Sequence, residues 1–199
     1  MNMYVALFLA VVALSAAAPK SKNNKCPDLK PFKKFDMNQY YNGTWYMTHA
    51  KIDGIHIPGK NMFCGKFVSS RLGNGTIREF VTHYLVNSNL FFYVENHIDL
   101  KSSTGKGEYI VNSRISSKDG TPIEDFFPIK YTNLGTDYKT YSVFNMCEEL
   151  DNDNVTSFYF IASRTKDARK VPPILKKVLA KNGLKLMDFT STEKIKCKP

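Results

Sequence analysis

Charge is missing from the first 18 residues, and tryptophan, cysteine and histidine are scarce throughout, at one, four and four in 199 residues. The uncharged opening segment carries the apolar run Tyr4 to Leu14 and then Ser15-Ala16-Ala17-Ala18. It is too short to span a bilayer and reads as a secretory signal peptide over residues 1–17, although it lacks the usual basic residue at its start. No later apolar run is long enough to cross a membrane, so a secreted chain of about 180 residues is expected, enough for one domain with a real core. The four cysteines, Cys26, Cys64, Cys147 and Cys197, are widely spaced and none adjoins a histidine. That excludes a zinc knuckle and argues against thiol chemistry. In an exported chain they read as two disulfides, with three connectivities open.

Catalytic signatures are lacking too. There is no Gly-x-Ser-x-Gly, no phosphate-binding Walker loop and no His-Glu-x-x-His, so the chain is read as a binding protein and not an enzyme. Glu79, Glu95 and Glu108 are the candidate carboxylates, and the sequence leaves open which face each occupies. Acidic residues are outnumbered, 18 against 28 Lys and Arg, but unevenly. From Met37 to Ser163 there are 11 basic and 13 acidic residues, a balance of −2; residues 19–36 give 6 against 2 and residues 164–199 give 11 against 3, so the flanks supply +4 and +8. A nucleic-acid role is not expected of a secreted chain. An anionic phospholipid or polyanion remains a partner for the flanks.

What is present is a series of short aromatic and β-branched runs separated by turn residues. Strands are expected near 43–52, 63–70, 76–86, 90–100, 107–116, 123–132, 139–148 and 156–164, with breakers such as Gly73-Asn74-Gly75 and Lys118-Asp119-Gly120. Eight such strands close most simply into an all-β, antiparallel up-and-down barrel, because closure leaves no unpaired edge. After the barrel the period changes. Pro172-Pro173 opens one short helix with Ile174, Leu175, Val178 and Leu179 on its apolar side, and Asn182-Gly183 stops it. The organisation expected is a signal peptide (1–17), a basic N-terminal arm (18–36), and a barrel with C-terminal helix and tail (37–199). Sequons at Asn42, Asn74 and Asn154 fall in expected turns, and Asn74 and Asn154 are the better glycan acceptors because Asn42 sits near the barrel's closed end.

Three motifs carry a resemblance. Gly43-Thr44-Trp45 on the first strand, Thr136-Asp137-Tyr138-Lys139-Thr140-Tyr141 before the seventh, and Arg164 after the eighth resemble the signature of the lipocalins, which implies that Arg164 stacks on Trp45. The stretches Phe35 to Ala50 and Gly75 to Tyr84, with the cysteines, resemble the salivary lipocalins of triatomine bugs, the triabin and nitrophorin group. The resemblance implies the pairs Cys26–Cys147 and Cys64–Cys197, secretion in saliva, a monomer, and a barrel that sequesters a small host mediator: a nucleotide, a biogenic amine or an eicosanoid. The consequence would be inhibition of platelet aggregation or of vasoconstriction.

Strand alternation from Trp45 puts Met47 and His49 inside. Counting back from Arg164 adds Phe158, Phe160 and Ala162, and Val81, His83, Phe92, Val94, Phe144 and Met146 complete the expected lining. Such a pocket suits an amphipathic ligand held by packing and one or two hydrogen bonds. No resident cofactor is required by this reading. The match of Gly75 to Tyr84 to the nitrophorins does imply one alternative, haem b held by His83 and carrying nitric oxide. A second alternative is a triabin-like inhibitor of a clotting protease, acting through rim loops at Asp53 to Asn61 and Asp119 to Asp125.

Overall fold

Alternating burial along the strands builds the molecule. In a computed structural model, which describes residues 25–102, 105–150, 154–166, 168 and 171–198, the strands are β1 (Thr44–Ile52), β2 (Phe63–Arg71), β3 (Thr76–Leu85), β4 (Leu90–Asp99), β5 (Glu108–Ser116), β6 (Phe127–Thr136), β7 (Tyr141–Leu150) and β8 (Asn154–Ser163). Each pairs antiparallel with the next, β1 pairs with both β8 and β2, and the sheet closes into an eight-stranded barrel. A two-residue strand, β9 (Thr190–Ser191), lies along β1. The expected signal peptide lies outside the described residues.

The sixth strand departs from expectation by four residues. Positions 123–126 belong to a loop that folds back over the outside of β3 to β5, and β6 runs on to Thr136 through Gly135, absorbing a register irregularity there. Gly135, expected from its type to end a strand, lies inside this one. A β-carbon there would lie 2.9 Å from Val178 Cγ1, so the glycine lets the C-terminal helix α2 (Ile174–Ala180) seat directly on β6. Helix α2 buries Leu175 and Leu179 but leaves Ile174 45% exposed, so Ile174 is not on the buried side as the periodicity suggested.

A one-turn helix that the sequence reading did not include, α1 (Met37–Tyr40), plugs the closed end. Asp36 caps it by accepting from the backbone N–H groups of Asn38 and Gln39, while Met37 and Tyr40 are buried. The arm before it belongs to the fold: Phe35 joins the barrel core and Leu29 the core beneath α2. Disulfides Cys26–Cys147 and Cys64–Cys197 tie both ends of the chain to the barrel. Each closes more than a hundred residues of chain, worth about 5 kcal/mol of unfolded-state entropy in the chain-entropy model.

Candidate functional site

The barrel interior has two storeys, separated at the level of Trp45. Above it lies a chamber of aromatic rings. His83 stacks on Phe92 with ring centroids 4.4 Å apart and 16° between planes, and Phe63 and Phe67 meet it edge-on at 5.4 and 6.3 Å. Phe67, Phe144 and Phe160 contact one another at 5.3 to 6.4 Å, and Phe158 stacks on Phe160. Val81, Met47 and Ala162 are buried in the same core, with Val94 and Met146 packed partly buried against it. Facing His83 across the β2–β3 pair is Gly65, whose missing side chain makes room for Met47: a β-carbon there would approach Met47 Cβ to 3.2 Å.

His83 is the polar group in this chamber. Its Nδ1 is buried without a hydrogen-bond partner. Burial with no compensating charge pushes its pKa down to about 4, so the imidazole is neutral at physiological pH and offers an acceptor or a donor but no cation.

His49 is not in the chamber. The β1–β8 register shifts between Met47 and His49, a bulge that inserts one residue and flips the alternation beyond it. Ala50 and Ile52 therefore turn inward, while His49 pairs with Ser191 of β9, and its Nδ1 meets Thr48 Oγ1 at 3.0 Å. Plain counting from Trp45 fails here because it assumes an unbroken period of two.

Beneath Trp45 the interior turns polar. Tyr40 Oη lies 2.7 Å from Tyr131 Oη and 3.0 Å from Ser142 Oγ, and Tyr41 Oη lies 2.7 Å from Tyr109 Oη. Glu79 points inward as well, accepting from Asn96 Nδ2, whose carbonyl oxygen accepts from Ser113 Oγ. Desolvation raises its pKa to about 7 against the pull of the Asn96 bond and of Arg164. Burial likewise raises all four phenols, which stay neutral. Arg164 closes this floor from below, its guanidinium 3.7 Å from the Trp45 ring centroid and donating to the carbonyls of Gln39, Tyr40, Thr44 and Tyr138. Gly43, at φ +94°, leaves a β-carbon-sized gap 3.6 Å from Arg164. Thr136 accepts the Tyr138 N–H, and Asp137 accepts three backbone N–H groups of the β6–β7 turn. The signature residues thus close the bottom of the barrel, with Trp45 as the floor of the chamber above.

Phe63, Phe67 and Gly65 were absent from the expected lining. Alternation back from Cys64 would have found them, since Phe63, Gly65 and Phe67 share one face of β2. The tyrosine floor had no such signal, because two of its members come from the α1 segment.

The expected rim loops are anchored at a few points and otherwise mostly exposed. The loop after β1 sends Ile57 and Met62 into the core and is held by Thr190 Oγ1 donating to the Ile57 carbonyl. Asp119 to Asp125 lies in the segment folded onto the outer wall, where Phe126 packs under Arg114 at 4.2 Å and against His97 at 4.5 Å. Asn42 and Asn74 are exposed, and Asn154 opens β8.

The donor chemistry at His83 suits iron in one respect, being a neutral nitrogen in apolar surroundings. A ligating imidazole has its second nitrogen held by a carboxylate, a carbonyl or a water, and no protein group meets Nδ1 here. Phe63, Phe67 and Phe92 pack around the imidazole.

Comparison with known proteins places this geometry in context. The chain is 26% identical to nitrophorin-3 of Rhodnius prolixus over 202 residues, covering 99% of this chain and 96% of the relative. Its fold superposes on the tryptamine complex of the amine-binding protein of Rhodnius prolixus with a TM-score of 0.78 at 27% identity, covering 87% of this chain and 89% of that one. A biogenic amine-binding protein gives a TM-score of 0.75 at 28% identity, covering 87% and 90%. Insecticyanin from the tobacco hornworm, at 19% identity and a TM-score of 0.59, shares the fold. The nitrophorin family model matches residues 26–199, and the chain therefore belongs to the nitrophorin family of lipocalins.

Proposed function

We propose that this is a secreted salivary lipocalin that takes one small host mediator into the aromatic chamber and sequesters it without transforming it. The single observation that carries the reading is the chamber itself: a neutral histidine with a partnerless buried nitrogen, stacked and flanked by phenylalanines. Such a site rewards a flat ring, each aromatic contact adding about 1 kcal/mol beyond area burial. It also rewards one N–H or O–H that can meet the imidazole. Above Trp45, no described inward position of the strands is Lys or Arg, so a phosphate would be buried without a counter-charge, which disfavours a nucleotide. Biogenic amines with an aromatic ring suit the chamber best, ring inward and ammonium towards the water at the mouth, and two structural relatives are amine-binding proteins. Withdrawing such a mediator would oppose platelet aggregation or vasoconstriction at the bite.

Calorimetric titration with serotonin, tryptamine, noradrenaline, ADP and a leukotriene tests the ligand class. Saturable heat with the ring-bearing amines and none with ADP is expected. Silence from every amine, or a strong Soret band on adding hemin that shifts with nitric oxide, would contradict the reading. The protease-inhibitor alternative would be favoured by inhibition of a clotting protease with no heat from any of these ligands. Turnover of any ligand in these mixtures would overturn the non-catalytic reading.

A further inference from the structure

The basic residues lie at the two ends of the sequence, yet folding brings those ends together. Leu29 of the arm shares one core with Leu175, Leu179 and Leu184 of the C-terminal segment. Beside it the Lys30 backbone N–H donates to Asn182 Oδ1 at 2.8 Å, just past the end of α2. The helix is fixed against β6 by the Val178–Gly135 contact, so this surface is a rigid part of the wall. Residues 25–36 and 171–188 together carry eight lysines and three aspartates. Two of those aspartates are already engaged, Asp36 as the cap of α1 and Asp188 as acceptor of the Lys185 N–H. The lysines are exposed.

Two exposed apolar side chains belong to the same segment of chain. Ile174 is 45% exposed, and Met187, in the turn Leu186–Asp188, is 85% exposed, more than any other large hydrophobic residue among those described. A purely solubilising lysine face has no use for them. A flexible thioether and a branched alkyl group on a lysine-rich segment match a surface that is anionic on the outside and hydrocarbon just beneath.

We propose that this composite face, built from the arm and the α2 segment, docks the protein on an anionic phospholipid bilayer, its lysines on the headgroups and Met187 and Ile174 in the interfacial layer. Its helix packs on β6 and β7, on the outer wall of the barrel. The proposal does not depend on which mediator the chamber holds. A sulfated polymer would use the same lysines but gain nothing from Met187, and that distinguishes the two partners.

The test is vesicle co-sedimentation of the disulfide-bonded chain with phosphatidylcholine alone and with added phosphatidylserine. Binding is expected only with phosphatidylserine and should fall steeply as salt rises. Changing Lys176, Lys177 and Lys181 together to Glu should weaken it on the order of a hundredfold or more. Met187→Ser should weaken it several-fold at unchanged charge. All four positions are exposed, and unchanged circular dichroism would confirm that the variants fold. No binding to phosphatidylserine vesicles, or binding indifferent to the lysine changes, would overturn the proposal. So would retention on heparin without vesicle binding and without sensitivity to Met187→Ser.

Discussion

Glu79 and Glu95 sit on neighbouring strands, on opposite faces of the same sheet, and are equally buried at 4% and 3% exposure. They are held in opposite ways. Glu79, inside, accepts from one neutral amide, and its pKa rises to about 7. Glu95, outside, is desolvated too, but bonds from Arg78, Arg114 and His97 outweigh burial and bring it down to about 2. Partners, more than depth, decide ionisation here. The outer wall keeps its charges by pairing them under the folded-back loop, whereas the interior is built to do without charge. That neutrality suits a chamber that holds rings.

The comparison would break most visibly if the floor's cover were removed. Arg164→Ala deletes the stack on Trp45 and the donors to four backbone carbonyls. It should cost about 3 kcal/mol in urea unfolding; a loss under about 1 kcal/mol would mean that the polar floor is closed without it.

Next in size is Glu95→Gln, which leaves Arg78 and Arg114 without their counter-charge in a partly buried setting and should cost about 2 kcal/mol at pH 7. Because the folded pKa lies below the unfolded one, the wild type should lose this stability as pH falls from about 4.5 towards 2. The variant should lack that loss.

Glu79→Gln should act with the other sign. Its folded pKa lies above its unfolded one, so the native state binds more protons between about 4.5 and 7, and wild-type stability falls as pH rises through that window. The variant should be more stable by about 1 to 2 kcal/mol at pH 8, with the gap closing by about pH 5. Denaturant unfolding at both values reads it. A destabilised variant at pH 8 would show that an ionised Glu79 is needed in the floor.

Much of this architecture was legible in the residues. Alternating apolar runs and turn residues marked eight strands, and Trp45, Thr136 and Arg164 marked where the barrel closes. The cysteine pairing came through the family likeness, since spacing left three possibilities. What escaped had no local signature. A bulge at Met47–His49 is a matter of register with β8, and it moved His49 from the chamber to the outside. The fold-back of residues 117–126 depends on a surface, Glu95 with its cations, assembled from three other strands. The sides of the two glutamates were likewise undecidable on β3 and β4 alone, where apolar or aromatic residues fall on both faces, Val81 and Phe92 on one, Phe80 and Tyr93 on the other. His83 was singled out from its residue type and position, but its stack with Phe92 and its lone nitrogen are properties of the packed barrel.

The central claim is that a ring-bearing mediator binds against a neutral His83. Calorimetric titration of serotonin into the wild type and into His83→Leu, at pH 6 and pH 8, tests it most directly. His83 stays neutral across that range, so wild-type affinity should be the same at both values, and the variant should lose on the order of tenfold or more, the worth of one buried hydrogen bond. Equal affinity in wild type and variant, or no binding to either, would contradict it.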